Sequence, residues 1–234
     1  MNFWQHLGEL RTRLIRCLYV LLAGGAVGAF LVNPTIRWLA RPIAPARLVF
    51  IRPTEAFAAQ MKVAVGISFL IGLPFFLQQI WGFISVGLQE KEKRYIRWVA
   101  PCSYVLFMAG ASLAAFVIFP KAVAFLLTLK SSALQPMLSV ESYLDFFCLL
   151  TIAFGALFQL PIVLHFLAKI GVLRSEFLEG NRRICYAGIF LLATICNPVP
   201  EVFTQLLLAF CAIALFELSI LLVRKEIKRQ NLSN

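Results

Sequence analysis

Six apolar stretches separated by short polar loops run almost the whole length of this 234-residue chain, at roughly 15–32, 63–86, 98–119, 146–168, 184–196 and 203–223. A soluble domain of this size must also present a wetted exterior. With 61% hydrophobic residues and a mean hydropathy of +0.85, most of the exterior here must face lipid. Four of the runs reach the ~20 residues that a helix needs to cross ~30 Å of hydrocarbon. The run 184–196 is short, and Glu217 interrupts 203–223. Both can still span where the bilayer thins or the helix ends snorkel. The expected fold is an all-α membrane protein with six transmembrane helices, the last two short. It forms a single polytopic membrane domain over 1–234, with no soluble domain and no low-complexity tract.

The basic residues set an orientation. The segment up to Arg16, the loops 87–97 and 169–183, and the tail together carry fifteen Lys and Arg, against seven in the alternate set of loops. This bias places both termini in the cytoplasm. Arg37, Arg41, Arg47 and Arg52 run against it and suit an outside cap better than a simple loop. Arg11 to Arg16, followed by an apolar run and the small residues of Ala23 to Ala29, loosely resembles a signal peptide. Glu9 and the long polar lead-in fit an uncleaved span better. The net charge of +11 sits in short loops beside hydrocarbon, so it points to anionic lipid headgroups and not to nucleic acid.

Catalytic and metal chemistry find little footing. Cys17, Cys102, Cys148, Cys185, Cys196 and Cys211 all fall in or at the end of apolar runs, without C-x-x-C spacing. They read as small hydrophobes. His6 and His165 are the only histidines and are far apart. No nucleophile elbow, zinc motif or phosphate-binding glycine loop is present. The expectation is a protein that is not an enzyme and needs no metal or cofactor.

Polar side chains at membrane depth are expensive, so their positions guide the functional reading. The set comprises Lys62, Gln78, Gln79, Gln159, Gln205 and Glu217. Gln159 and Gln205 lie inside runs, whereas Lys62, Gln78 and Gln79 lie nearer the ends and suit interhelical hydrogen bonds or snorkelling. Glu201 and Gln205 are four apart and share one face at the start of the last helix, just after Asn197-Pro198-Val199-Pro200. Two prolines there force a sharp turn. Two readings stay open: a well-capped turn, or a polar, partly wet site where another helix docks. Pro53-Thr54-Glu55 and Ser139-Val140-Glu141 look like helix starts, with a hydroxyl and an early acid. They imply structured outside loops. On the basic side, Glu9 and Glu92 are acids in cationic surroundings. Ordinary pairing is the plain reading, such as Glu9 with Arg13 at i, i+4.

Taken in order, the motifs resemble the TatC family, the multispanning receptor of the twin-arginine protein translocase. They are His6-Leu7-x-Glu9-Leu10-Arg11-x-Arg13-Leu14; Pro53-x-Glu55-x-Phe57 with Lys62; Pro74 through Gln79-x-Trp81-x-Phe83; Gly87-Leu88 with Glu92; Pro120; Pro161; and Pro198-x-Pro200-Glu201-x-Phe203-x-Gln205. The resemblance runs from His6 to about Glu217. It implies a glove-shaped, concave six-helix bundle in the bacterial cytoplasmic membrane. Such proteins bind the twin-arginine signal peptides of folded precursors at the cytoplasmic face. They also recruit small single-span partners of the TatA/TatB type for export driven by the proton-motive force, and work as oligomers within a complex. Signal-peptide binding carries over to Glu9 and Glu92, with Leu7 and Arg13 of the first motif. Guanidinium forks pair bidentately with carboxylates. Partner-helix binding carries over to Glu201, Gln205 and Phe203. The chain departs from the family pattern at Val86 for proline, Asn197 for threonine, Glu201 for aspartate and Gln159 for glutamate. It also lacks a proline in Leu206–Cys211. A small ion- or proton-coupled transporter would also bury Gln159, Gln205 and Glu217, but would show an inverted repeat or broken helices around a midplane site.

Overall fold

The structure is a computed structural model that describes residues 3–43, 48–86, 90–128, 138–170, 180, 182–196 and 202–233. Eight α-helices are described: α1 (Phe3–Leu39), α2 (Pro53–Val86), α3 (Glu90–Leu113), α4 (Phe119–Thr128), α5 (Val140–Leu157), α6 (Leu160–Lys169), α7 (Arg182–Cys196) and α8 (Val202–Ser233). A π-helical turn, Ala114–Ile118, joins α3 to α4. Two short strands, β1 (Leu48–Val49) and β2 (Leu138–Ser139), pair in parallel. Four stretches are long and apolar enough to cross a membrane: Leu7–Leu39, Pro53–Ser85, Trp98–Thr128 and Val140–Lys169. Gln205–Leu221 is a shorter apolar stretch, and α7 has only 15 residues. The all-helical, multi-pass architecture agrees with the sequence reading, but of the last two helices only α7 is short: α8 runs 32 residues, and only its apolar stretch is short.

Three element boundaries differ from the apolar runs, each for a local reason. The first run, 15–32, sits inside a helix of 37 residues. At 1.5 Å per residue that is about 55 Å, far more than the hydrocarbon needs. The polar lead-in with Glu9 and Arg13 is therefore part of the same rod. The run 98–119 continues through the π turn to Thr128. Pro120 has no N–H to give, and the turn just before it absorbs the mismatch. The run 146–168 breaks at Phe158 and Gln159. Pro161 cannot donate to the Leu157 carbonyl and its ring crowds that oxygen, so α5 stops and α6 restarts. Gln159 thus stands at the N-cap of α6 and not within a continuous helix. Its carbonyl accepts from Ile162 N–H at 3.1 Å and Val163 N–H at 3.0 Å.

The chain divides into two compact units, residues 1–104 with 123–148, and 105–122 with 149–234. In the first, α1 and α2 pack along a seam of small residues. A Cβ on Gly28 would strike the Ala64 carbonyl oxygen, and one on Gly24 would strike Ser68 Oγ. Ser68 Oγ donates across this close approach to the Leu21 carbonyl at 2.6 Å. Lipid supplies no hydrophobic drive between helices, so close backbone packing of this G-x-x-x-G kind carries the association. Trp81 Nε1 donates to Ser103 Oγ at 2.8 Å, tying α2 to α3. At the other end, β1–β2 joins the segments leading into α2 and α5. Buried Glu55 accepts from Ile51 N–H at 3.1 Å and Ser139 Oγ at 3.2 Å, and Tyr143 Oη donates to the Leu39 carbonyl at 2.6 Å. These bonds form the structured cap that the two helix-start motifs imply.

In the second unit, Gly110 faces the Phe154 carbonyl and the Phe158 ring, and Gly155 faces the Phe107 ring. Ile189, Ala212, Phe216 and Ile220 form a core between α7 and α8. The Tyr186 and Phe216 rings meet edge-on, with centroids 5.8 Å apart. The five described cysteines are free thiols.

Candidate functional site

Glu9 sits on α1, one turn before Arg13, so the helix itself stacks the two side chains. Arg13 donates to Glu9 Oε1 twice, from Nη2 at 2.6 Å and from Nε at 3.1 Å. Its third nitrogen, Nη1, reaches across to α2 and donates to the Gln79 carbonyl at 3.1 Å, with Gln79 Oε1 at 3.5 Å. A Cβ on Gly82 would collide with this same Nη1. The guanidinium therefore packs against the α2 backbone at Gln79 and Gly82, where only glycine leaves the room. Both partners are part-buried, at 21% exposure for Arg13 and 29% for Glu9, so the pair is worth more than a freely solvated one. Among the described residues both bonds fall on Oε1, and Glu9 Oε2 receives none. Leu7 is 41% exposed on the same helix end.

The plain i, i+4 pairing of Glu9 and Arg13 is thus real, but it is one half of a clasp between α1 and α2. Gln79 and Gly82 are the members that sequence reasoning left out of the site. A glycine one turn before the end of α2, three residues after a membrane-end glutamine, was the available signal. Glu92 lies near the start of α3, only a short connection from the end of α2. Its side chain lies outside the described ones, as does that of His6. Glu9, Arg13, Gln79 and Gly82 are therefore gathered at one end of the first unit, and the start of α3 follows directly.

The cap end of that unit holds a second polar cluster. Lys62 Nζ lies 3.0 Å from Glu141 Oε1 and 2.8 Å from Asp145 Oδ1. Lys62 lies nine residues into α2, about 13 Å along the axis. Two acids at i, i+4 on α5 neutralise it there, as the expected interhelical role requires.

The remaining residues lie in the second unit. Gln205 Nε2 donates to Thr194 Oγ1 at 2.7 Å and approaches the Phe190 carbonyl at 3.5 Å. The amide thus has a partner on α7. Glu201 lies outside the described residues, and so does the side chain of Phe203. Leu206, Phe210, Leu218 and Leu221 are all exposed along one stripe of α8. Glu217 is not an isolated intramembrane charge: it accepts from Tyr186 Oη, and Arg182 Nη1, on the first residue of α7, lies 3.7 Å away. Gln159 thus stands at a helix break, Gln205 on Thr194 and Glu217 on Tyr186.

Comparisons with known proteins place nearly the whole chain among relatives of one family. The sequence model of TatC, described as Sec-independent protein translocase protein, matches residues 5–210. The Sec-independent protein translocase protein TatC of Aquifex aeolicus is 36% identical over 95% of this chain and 94% of its own length. That of Carboxydothermus hydrogenoformans is 33% identical over 96% and 93%. A crystal structure titled as the twin arginine translocase receptor TatC superposes with a TM-score of 0.81. It is 36% identical and covers 94% of this chain and 98% of that one.

Proposed function

Because the chain belongs to the TatC family of Sec-independent protein translocase proteins, we propose that it is the receptor subunit of a twin-arginine translocase and that Glu9 is one seat for the signal peptide's arginine pair. It is a multi-pass membrane protein of the protein-export machinery. In this reading both termini face the cytoplasm of a bacterial cell, with the Glu9 end of α1 on that side. Glu9 and Glu92 receive the two guanidinium groups, and Leu7 offers apolar contact beside them. Arg13 holds Glu9 in place and does not itself meet the ligand. Glu201, Gln205 and Phe203 meet the helix of a small TatA/TatB-type single-span partner. The exposed stripe of Leu206 and Phe210 offers apolar surface for that helix. Export then draws on the proton-motive force, with several copies in one complex.

The observation that carries this reading is the half-used carboxylate. Arg13 fixes Glu9 through Oε1 and leaves Oε2 without a bond among the described residues. A carboxylate held in this way can accept an incoming guanidinium without reorganising. The test is the affinity of the purified protein for a twin-arginine precursor peptide and for its twin-lysine analogue. Glu9→Ala and Glu92→Ala should each cost about 1.5–3 kcal/mol of binding. They should also erase the preference for arginine over lysine. Unchanged affinity in both variants would overturn the assignment.

A further inference from the structure

The cap end of the first unit contains a cavity of about 420 Å³ between the last turn of α1, β1 and the first turns of α2. Its volume falls in the range of small-molecule sites. The walls are apolar, with Ile36, Ile43, Leu48 and Ala59 among them, and Arg37 is one of very few polar side chains on the lining. Phe50 on its lining is 57% exposed, and Ile51 and Phe57, beside Phe50 and Ala56 in sequence, are exposed at 66% and 71%. The cavity lies where two membrane-crossing stretches reach their ends, Leu39 of the first and Pro53 of the second. Each stretch is 33 residues long, enough for its end to reach headgroup level.

The charges at this level are unbalanced in a specific way. Arg37, Arg41 and Arg52 are all exposed. The acids that could answer them are committed elsewhere: Glu55 is buried on Ile51 N–H and Ser139 Oγ, and Glu141 and Asp145 are both on Lys62. None of the three arginines has an ion-pair partner among the described residues. An apolar pocket with a free guanidinium on its wall calls for an amphiphile with an anionic head. Arginine pairs with phosphate through its planar fork.

We infer that this cavity is a binding site for one anionic phospholipid. An acyl chain fills the apolar walls, Arg37 holds the phosphate, and Arg41 and Arg52 add to the positive field around the headgroup. The site is independent of signal-peptide binding, because it lies at the opposite end of α1 from Glu9.

The test uses the full chain, delipidated in detergent and titrated with phosphatidylglycerol or phosphatidylcholine, with bound lipid read by native mass spectrometry. Phosphatidylglycerol should bind about tenfold tighter than phosphatidylcholine, the size of one charge-assisted contact. Arg37→Gln should remove that preference, and Arg16→Gln, a control at the other end of α1, should leave it intact. Ala56→Leu, which fills part of the cavity, should weaken both lipids. In the unaltered protein, phosphatidylglycerol with a photoreactive acyl chain should label 36–43 and 56–60. The inference is overturned if Arg37→Gln keeps the preference, or if Arg16→Gln loses it equally. It is also overturned if inorganic phosphate displaces the lipid, since that would mean a bare anion site. Labelling found only outside those segments, or capture of a copurifying protein on the cap in place of lipid, overturns it as well.

Discussion

The α1–α2 seam and the α7–α8 pair solve the same problem in different ways. Both must hold two helices together in lipid, where burying apolar surface gains almost nothing. The first pair brings backbones close through Gly24 and Gly28, crosses the gap with Ser68, and closes its Glu9 end with Arg13 on Gln79. The second pair interlocks larger side chains, Phe216, Ile220 and Ile189, and adds two local polar ties, Gln205 to Thr194 and Glu217 to Tyr186. Backbone-to-backbone packing tolerates no added atoms, whereas side-chain packing can repack around a change. The seam is therefore the rigid platform. It is also where Arg13 holds an acid through one oxygen, the other having no bond among the described residues.

That contrast can be broken most forcefully at Gly28. Gly28→Leu would drive a side chain into the Ala64 carbonyl. We expect a loss of ~3 kcal/mol or more, at the upper end of overpacking costs, seen as a collapse of detergent-solubilised thermal stability. In the other pair, Phe216→Ala opens a cavity. We expect about 2 kcal/mol, below the usual aqueous cost because lipid removes most of the transfer contribution. If the Phe216 variant proves the less stable of the two, the seam is not the rigid element.

The next effect sharpens the role of the clasp. Gly82→Ala should push Arg13 off the Gln79 carbonyl. It should lower twin-arginine peptide affinity by about fivefold, with the arginine preference reduced and thermal stability changed by only ~1 kcal/mol. Affinity that falls only in step with stability would make Arg13 a structural strut alone. The smallest effect is expected at Gln205. Its Thr194 partner can still donate to the Phe190 carbonyl, at 2.8 Å. Gln205→Leu should therefore cost about 0.6 kcal/mol of stability, typical of a polar contact between membrane helices. A much larger loss of export than of stability would assign the amide to partner docking, and equal losses would remove it from that site.

Much of the site was legible because it follows helical spacing. Glu9 with Arg13 could be placed on a common face from their separation alone; the expectation for Glu201 with Gln205 lies outside the described residues. The pairing of Lys62 with Glu141 and Asp145 was half visible: a lone lysine at depth demands acids, and α5 offers two at i, i+4. Gln79 was noted only as a polar residue near the end of a run and Gly82 not at all, because their role in the clasp is not a local property. Their importance comes from a guanidinium 66 residues away in sequence. Glu217 looked like a charge in lipid for the same reason, since Tyr186 lies 31 residues before it.

The sequence by itself determined that this chain lives in a membrane, how many helices it sends through it, and which family it belongs to. Hydrophobic run length, positive-charge bias and motif order are one-dimensional properties. Tertiary structure alone decided which polar groups are already answered. It showed Arg13 on one oxygen of Glu9 and Arg37 on the wall of an apolar cavity. A side chain's partner depends on distances between segments remote in sequence, and those distances exist only once the helices have packed.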